Sequence, residues 1–139
     1  MIPPLYPKSA RDWYRPGSDV MGVVASGACA AHCVMAAVLP PLFPVTASRL
    51  PSGDGVHGVF AALVVLTSLM AFVPGWLRHG EPRVWGWALA GLGLISYTRW
   101  AGPAEVGPIG DALLTTSGGV VLIVAHRLNH SLAYWCDRI

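Results

Sequence analysis

Apolar positions along the chain gather into four long stretches separated by short polar turns. Residues 20–48 contain no Asp, Glu, Lys or Arg, and the same holds for 55–77. Both exceed the roughly 20 residues that a helix needs to cross the hydrocarbon core of a bilayer. Two further charge-free stretches, 84–98 and 112–126, have fifteen residues each. Arg83 and Arg99 bracket the first of these, and long basic side chains there reach back toward headgroups. Trp85, Trp87, Tyr97 and Trp100 lie near its two ends, where an aromatic belt belongs. Ile109 and Gly110 extend the last stretch outward past Asp111. The pattern predicts helices near 20–41, 57–77, 84–100 and 109–128.

The connections agree with that count. Pro40, Pro41 and Pro44 end the first helix, because proline removes a donor and restricts the residue before it. Pro51, Gly53 and Gly55 form a turn cluster, His79 to Pro82 a tight polar turn, and residues 101–108 hold two prolines and two glycines. The first apolar run continues well past Cys29, so it reads as a span and not as a cleaved leader. Residues 1–18, rich in Pro, Tyr and Trp, form an N-terminal tail at the cytoplasmic interface. Residues 19–130 form the four-helix transmembrane domain, and 131–139 a short cytoplasmic tail.

Composition sharpens this picture. Of 139 residues 54% are hydrophobic and 12% charged, about half the charged fraction of a soluble domain, and the mean hydropathy is +0.54. So short a chain cannot hide that much apolar surface from water, so lipid must cover it. The fold class is all-α, an integral membrane four-helix bundle. The net charge of +2 and the scattered basic residues exclude nucleic acid as a partner. Lys8, Arg11, Arg15, Arg78, Arg83, Arg127 and Arg138 fall on one side of a four-span protein, Arg49 and Arg99 on the other. Seven against two puts both termini in the cytoplasm.

Candidate chemistry centres on Cys29, His32 and Cys33. Positions four apart share a helix face at about 100° per residue, so the two thiols project together with an imidazole alongside. Thiolates suit soft, thiophilic metal ions. The alternative is packing, since cysteine in an apolar helix behaves as a small hydrophobe; His32 fits that less well, because ionisable residues inside a membrane are rare and tend to be functional. A weaker cluster lies near the far end of the chain, where His126, His130 and Cys136 provide a possible metal docking point. Interhelical hydrogen bonding is the plainer account of His126 and Asn129. His57 and His79 read as interfacial residues. Gly91, Gly93, Gly118 and Gly119 read as small residues that permit close helix packing. Paired haem ligation fits poorly, because His32 and His126 lie at different depths. No nucleophile–base or acid–base arrangement suggests an enzyme.

Asp19, Gly22, Ser26, Cys29, His32 and Cys33 together resemble the opening motif of the MerC family of mercuric-ion transport proteins. Trp76 to His79 resembles that family's basic turn, and Thr116 to Gly119 with Ala125 to Asn129 its last helix. The resemblance runs over roughly 19–136. It implies a multi-pass protein of the bacterial inner membrane that binds Hg(II) at Cys29 and Cys33 and passes it to the cytoplasm, with no cofactor required. The family's second, cytoplasmic cysteine pair is incomplete: if Cys136 is its later member, Ala133 occupies the partner position. That gap motivates an alternative, a non-transporting accessory subunit of a larger membrane complex.

Overall fold

In a computed structural model, residues 13–46, 54–101 and 103–136 are described. They form four α-helices, α1 (Pro16–Leu42), α2 (Asp54–His79), α3 (Pro82–Ala101) and α4 (Pro103–Cys136), with one 3-10 turn (Pro44–Thr46) after α1. Tail residues 1–12 and 137–139, with Lys8, Arg11 and Arg138, lie outside the described residues, as does Arg49 in the first connection.

The ends follow the local chemistry. α1 starts with proline in its first turn, where a missing N–H costs nothing. It runs through Pro40 and Pro41 to Leu42, one residue beyond the expected end, and closes when the Phe43 N–H donates to Leu39 O at 2.7 Å. Prolines so near a C-terminus spoil only one or two hydrogen bonds, which is why they bound the helix without cutting it short. Gly80, at φ 64°, makes the turn between α2 and α3, a conformation that side-chain-bearing residues rarely adopt. Gly107 (φ 68°, ψ 166°) kinks α4 just before Pro108, so a leading turn precedes the helix predicted near 109. At its other end α4 continues to Cys136, well past 128. Residues 131–136 are therefore helical, and Ala133 is fully buried.

α4 is the central element. It packs along α1 and α3 and touches α2, while α2 leans mainly on α1. Glycines set the closest approaches: a Cβ at Gly118 would sit 2.8 Å from Gly91 O, and one at Gly119 3.0 Å from Ser26 O. Gly93 meets nothing within 4 Å, so its expected packing role is not realised.

Polarity is arranged inside out. Asp19, Ser26, His32, Ser68, Thr98, Thr115, His126 and Asn129 are buried, while Val24, Leu66, Leu89, Leu113 and Val120 are exposed. Met21, Met35 and Met70 also face outward. In water such an apolar exterior would drive association; in a bilayer it is the solvated face. Three helices, α1, α2 and α4, are long and apolar enough to cross a membrane. α3 is less apolar, although its 20 residues rise about 30 Å, the thickness of the hydrocarbon core. Hydrogen bonds from Asn129 to Asp19 and His79 bring the start of α1, the α2–α3 turn and the end of α4 to one end of the bundle. Of the described arginines Arg15, Arg78, Arg83 and Arg127 lie toward that end, and Arg99 toward the other.

Candidate metal centre

α1 turns a polar seam inward. Its buried residues are Asp19, Gly22, Ser26, Cys29, His32 and Cys33. Asp19, Ser26 and Cys33 are seven apart, which is nearly two full turns, so they form one row with Gly22 and Cys29 beside it. Cys29 and Cys33 are free and buried, and they line the same cavity. Thr115 of α4 faces that cavity with them.

A small cavity adjoins the pair, lined by both cysteines with His57, Ala61, Ile95, Arg99 and Thr115. About 10 Å³ of it is open to a water-sized centre, room for one water or a single ion. Arg99 donates to Asp111 at 2.9 Å, and Thr115 shares that carboxylate at 3.5 Å. Thr98 closes the polar group, 3.3 Å from Thr115. The cavity therefore lies toward the end of the bundle that carries Arg99, about 20–25 Å along α1 from its first residue.

His32 does not line this cavity. The ring stacks on Phe60 at 5.0 Å and meets His57 edge-on at 5.3 Å, and its Nε2 has no hydrogen-bond partner. Instead His57, which the sequence marks only as an interfacial residue, is the imidazole beside the thiols. Its position at the start of α2, just after a polar turn, carries no signal of that placement. Arg99 and Thr115 are equally silent, since an arginine after an apolar stretch reads as a snorkelling anchor.

His130 and Cys136 do not come together. Both are exposed on α4, and six residues place them about 120° apart around the helix and about 9 Å apart along it. Among the described residues no three of His, Cys, Asp and Glu are grouped to hold a metal ion.

The far end of the seam holds a second polar group. Asp19 accepts from the Tyr14 hydroxyl at 2.5 Å, from His126 Nδ1 at 2.9 Å, and from Asn129 Nδ2 at 3.1 and 3.0 Å. Asn129 Nδ2 also donates to Ala71 O at 3.2 Å. The Glu81 N–H donates to His79 Nδ1 at 3.0 Å, which leaves His79 Nε2 to donate to Asn129 Oδ1 at 3.0 Å. His126 stacks on Phe72 at 4.4 Å and is fully buried. Gly22 and Gly75 make room for this group, because a Cβ on either would overlap the His126 ring or the Asn129 amide. Interhelical bonding, the plainer account of His126 and Asn129, is the one observed.

The family model described as MerC mercury resistance protein matches residues 19–131. Neither a curated protein nor a solved structure matches the chain significantly.

Proposed function

This chain is a member of the MerC family, and from that premise we propose that it carries Hg(II) across a membrane, captured by Cys29 and Cys33 and released to the cytoplasm. Membership makes it a multi-pass membrane protein of a mercury-resistance family and not an enzyme. The observation that carries the reading is the thiol pair itself: two free cysteines on the buried face of a spanning helix, beside a cavity the size of one ion. Soft sulfur ligands select a soft ion over the hard cations that oxygen would hold. Arg99 places positive charge by the cavity, opposite the negative charge that metal-binding thiolates carry. His32, Cys136 and His130 are at most auxiliary ligands.

The scaffold we propose is a four-span bundle in the bacterial inner membrane, as the domain 19–130, with both termini cytoplasmic. Support comes from the packing of α3 along α4 at Gly91 and Gly118, and from the basic residues at the end shared by the two termini. The ion then enters from the Arg99 end, meets the thiols mid-span and leaves past Asp19 and His126. Uptake of labelled Hg(II) by cells or proteoliposomes tests the site. Cys29→Ser/Cys33→Ser should lower the initial rate at least about tenfold; a rate equal to wild type sinks the reading.

A further inference from the structure

Among the described residues, the grooves between helices differ in the charge of their linings. One of about 460 Å³, between the end of α1 and the start of α4, has no charged wall; Val34, Val38, Leu42, Ile109 and Leu113 line it. Another of about 320 Å³, between α3 and α4, holds Arg83 together with Glu81, and these two pair at 3.4 Å. A third of about 250 Å³, between the start of α1 and the end of α4, holds Arg127 and His130. We propose that this third groove binds one anionic phospholipid, with an acyl chain along α1 and the phosphate at Arg127 and His130.

Its lining suits an amphiphile, apolar along its length with a few polar groups at one end. Val20, Val23 and Val24 are spaced by three and four, so they form one apolar strip along α1. Arg127 and His130, three apart on α4, share a face in the same way, and both are exposed. Among the described residues neither side chain has a hydrogen bond or an ion pair. The acidic group on this groove, Asp19, is 2% exposed. Its oxygens already accept from Tyr14, His126 and Asn129, so its charge is engaged inside the bundle and the rim is left basic.

Depth supports the same occupant. Asn129, which lies between Arg127 and His130 in the chain, bonds His79, the last residue of α2. The basic rim is therefore level with the α2–α3 turn, where the bundle leaves the hydrocarbon. Exposed Trp13 and Trp135 at this end are placed as interfacial anchors. α1 and α4 run antiparallel, with Gly22 against His126 and Gly119 against Ser26. Val20 is thus level with Arg127, and Val23 and Val24 lie deeper. A phosphate at the rim and a chain on the valines follow the bilayer's own gradient. A free phosphate ion gains nothing from the valine strip, and an uncharged lipid gains nothing from the rim. Together they select a lipid with negative charge, as basic pockets between spanning helices do. A lipid seated across α1 and α4 also stabilises the folded chain, because the unfolded chain lacks the groove. The groove lies at the opposite end of the bundle from the cysteine cavity, so its occupancy is measurable without metal.

The test is native mass spectrometry of the full chain in a mild uncharged detergent, titrated with phosphatidylglycerol or with phosphatidylcholine of the same acyl chains. The first phosphatidylglycerol should bind about five- to tenfold more tightly than the first phosphatidylcholine. Arg127→Gln/His130→Gln should erase that preference. Arg83→Gln, which removes an arginine at the same end that Glu81 already engages, should keep it. Val24→Trp fills the groove and leaves its charge intact, so it should weaken the first phosphatidylglycerol severalfold. Equal affinity of wild type for the two lipids overturns the proposal. So does a preference that Arg83→Gln lowers as much as the double variant does, since that marks diffuse surface charge. Undiminished binding to Val24→Trp means attraction of a headgroup without a seated chain, and it overturns the proposal as well. Phosphatidylglycerol should also raise the thermal midpoint of wild type, and inorganic phosphate at the same concentration should not. An equal rise with inorganic phosphate identifies a free anion as the occupant and defeats the lipid.

Discussion

Single residues divide this molecule into places where one atom matters and places where it does not. Gly22 and Gly75 are of the first kind, since an added methyl would run into the rings and amides that join α1, α2 and α4. Gly22→Ala and Gly75→Ala should each cost about 1–3 kcal/mol by overpacking, read as a lowered thermal midpoint in detergent. Gly93→Ala, with nothing within 4 Å, should leave the midpoint unchanged or slightly raised. Tyr14 makes a second prediction. Burial first, and then its hydrogen bond to Asp19, push its phenol above the ordinary range. The folded chain therefore holds that proton after the unfolded chain has lost it. Its stabilising effect is complete below about pH 10 and is lost as pH climbs from there toward the raised value. Thermal midpoints between about pH 9 and 11 should fall in wild type, and Tyr14→Phe should flatten that fall. Of these residues Asp19 and Gly22 stand out in the sequence only as parts of a motif, and Gly93 stands out as a packing glycine that the fold does not use. Gly75 sits in an apolar run like any small residue, and its partner Asn129 lies 54 positions away. No local pattern can reveal a contact that tertiary packing alone creates.

At the scale of elements, periodicity and turn chemistry locate all four helices, because a membrane span is a long-range compositional signal that local context does not disturb. Ends are less legible. α4 outlasts its expected end by eight residues, from 128 to 136, since burial of Leu132 and Ala133 against the bundle sustains the helix after hydropathy has faded. Nor can charge patterning distinguish Arg99 as a snorkelling anchor from Arg99 as the partner of Asp111 beside the cysteines. α3 and α4 depend on one narrow contact. Gly118→Leu would force a branched side chain against Gly91 O and Ile95, and it should separate the two helices. A cysteine pair engineered at Thr98 and Thr115, whose hydroxyls lie 3.3 Å apart, in a Cys29→Ser/Cys33→Ser background reports this: cross-linking should be efficient with Gly118 in place and should drop at least severalfold with Gly118→Leu. Unchanged cross-linking would mean that the helices meet some other way.

For the whole molecule, the two polar groups lie at different depths in one bundle. The cysteines sit with Arg99, Asp111 and Thr115 toward the sparsely charged end; Asp19, His126 and Asn129 sit toward the end where α1 begins and α4 finishes. This arrangement has a direction built into it, provided that the terminal end faces the cytoplasm, and thiol labelling determines which way it faces. Cys136 is exposed, whereas Cys29 and Cys33 are buried, so a charged, membrane-impermeant maleimide reports on Cys136 alone. Intact spheroplasts should leave it unlabelled and inverted membrane vesicles should label it close to fully. Prior loading with Hg(II) adds a second readout, because an ion held only by the buried pair leaves Cys136 reactive, while one shared with the tail protects it. Labelling of Cys136 from outside intact cells would invert the orientation. The route from Arg99 to His126 would then run outward, and export rather than uptake would be the transport to measure.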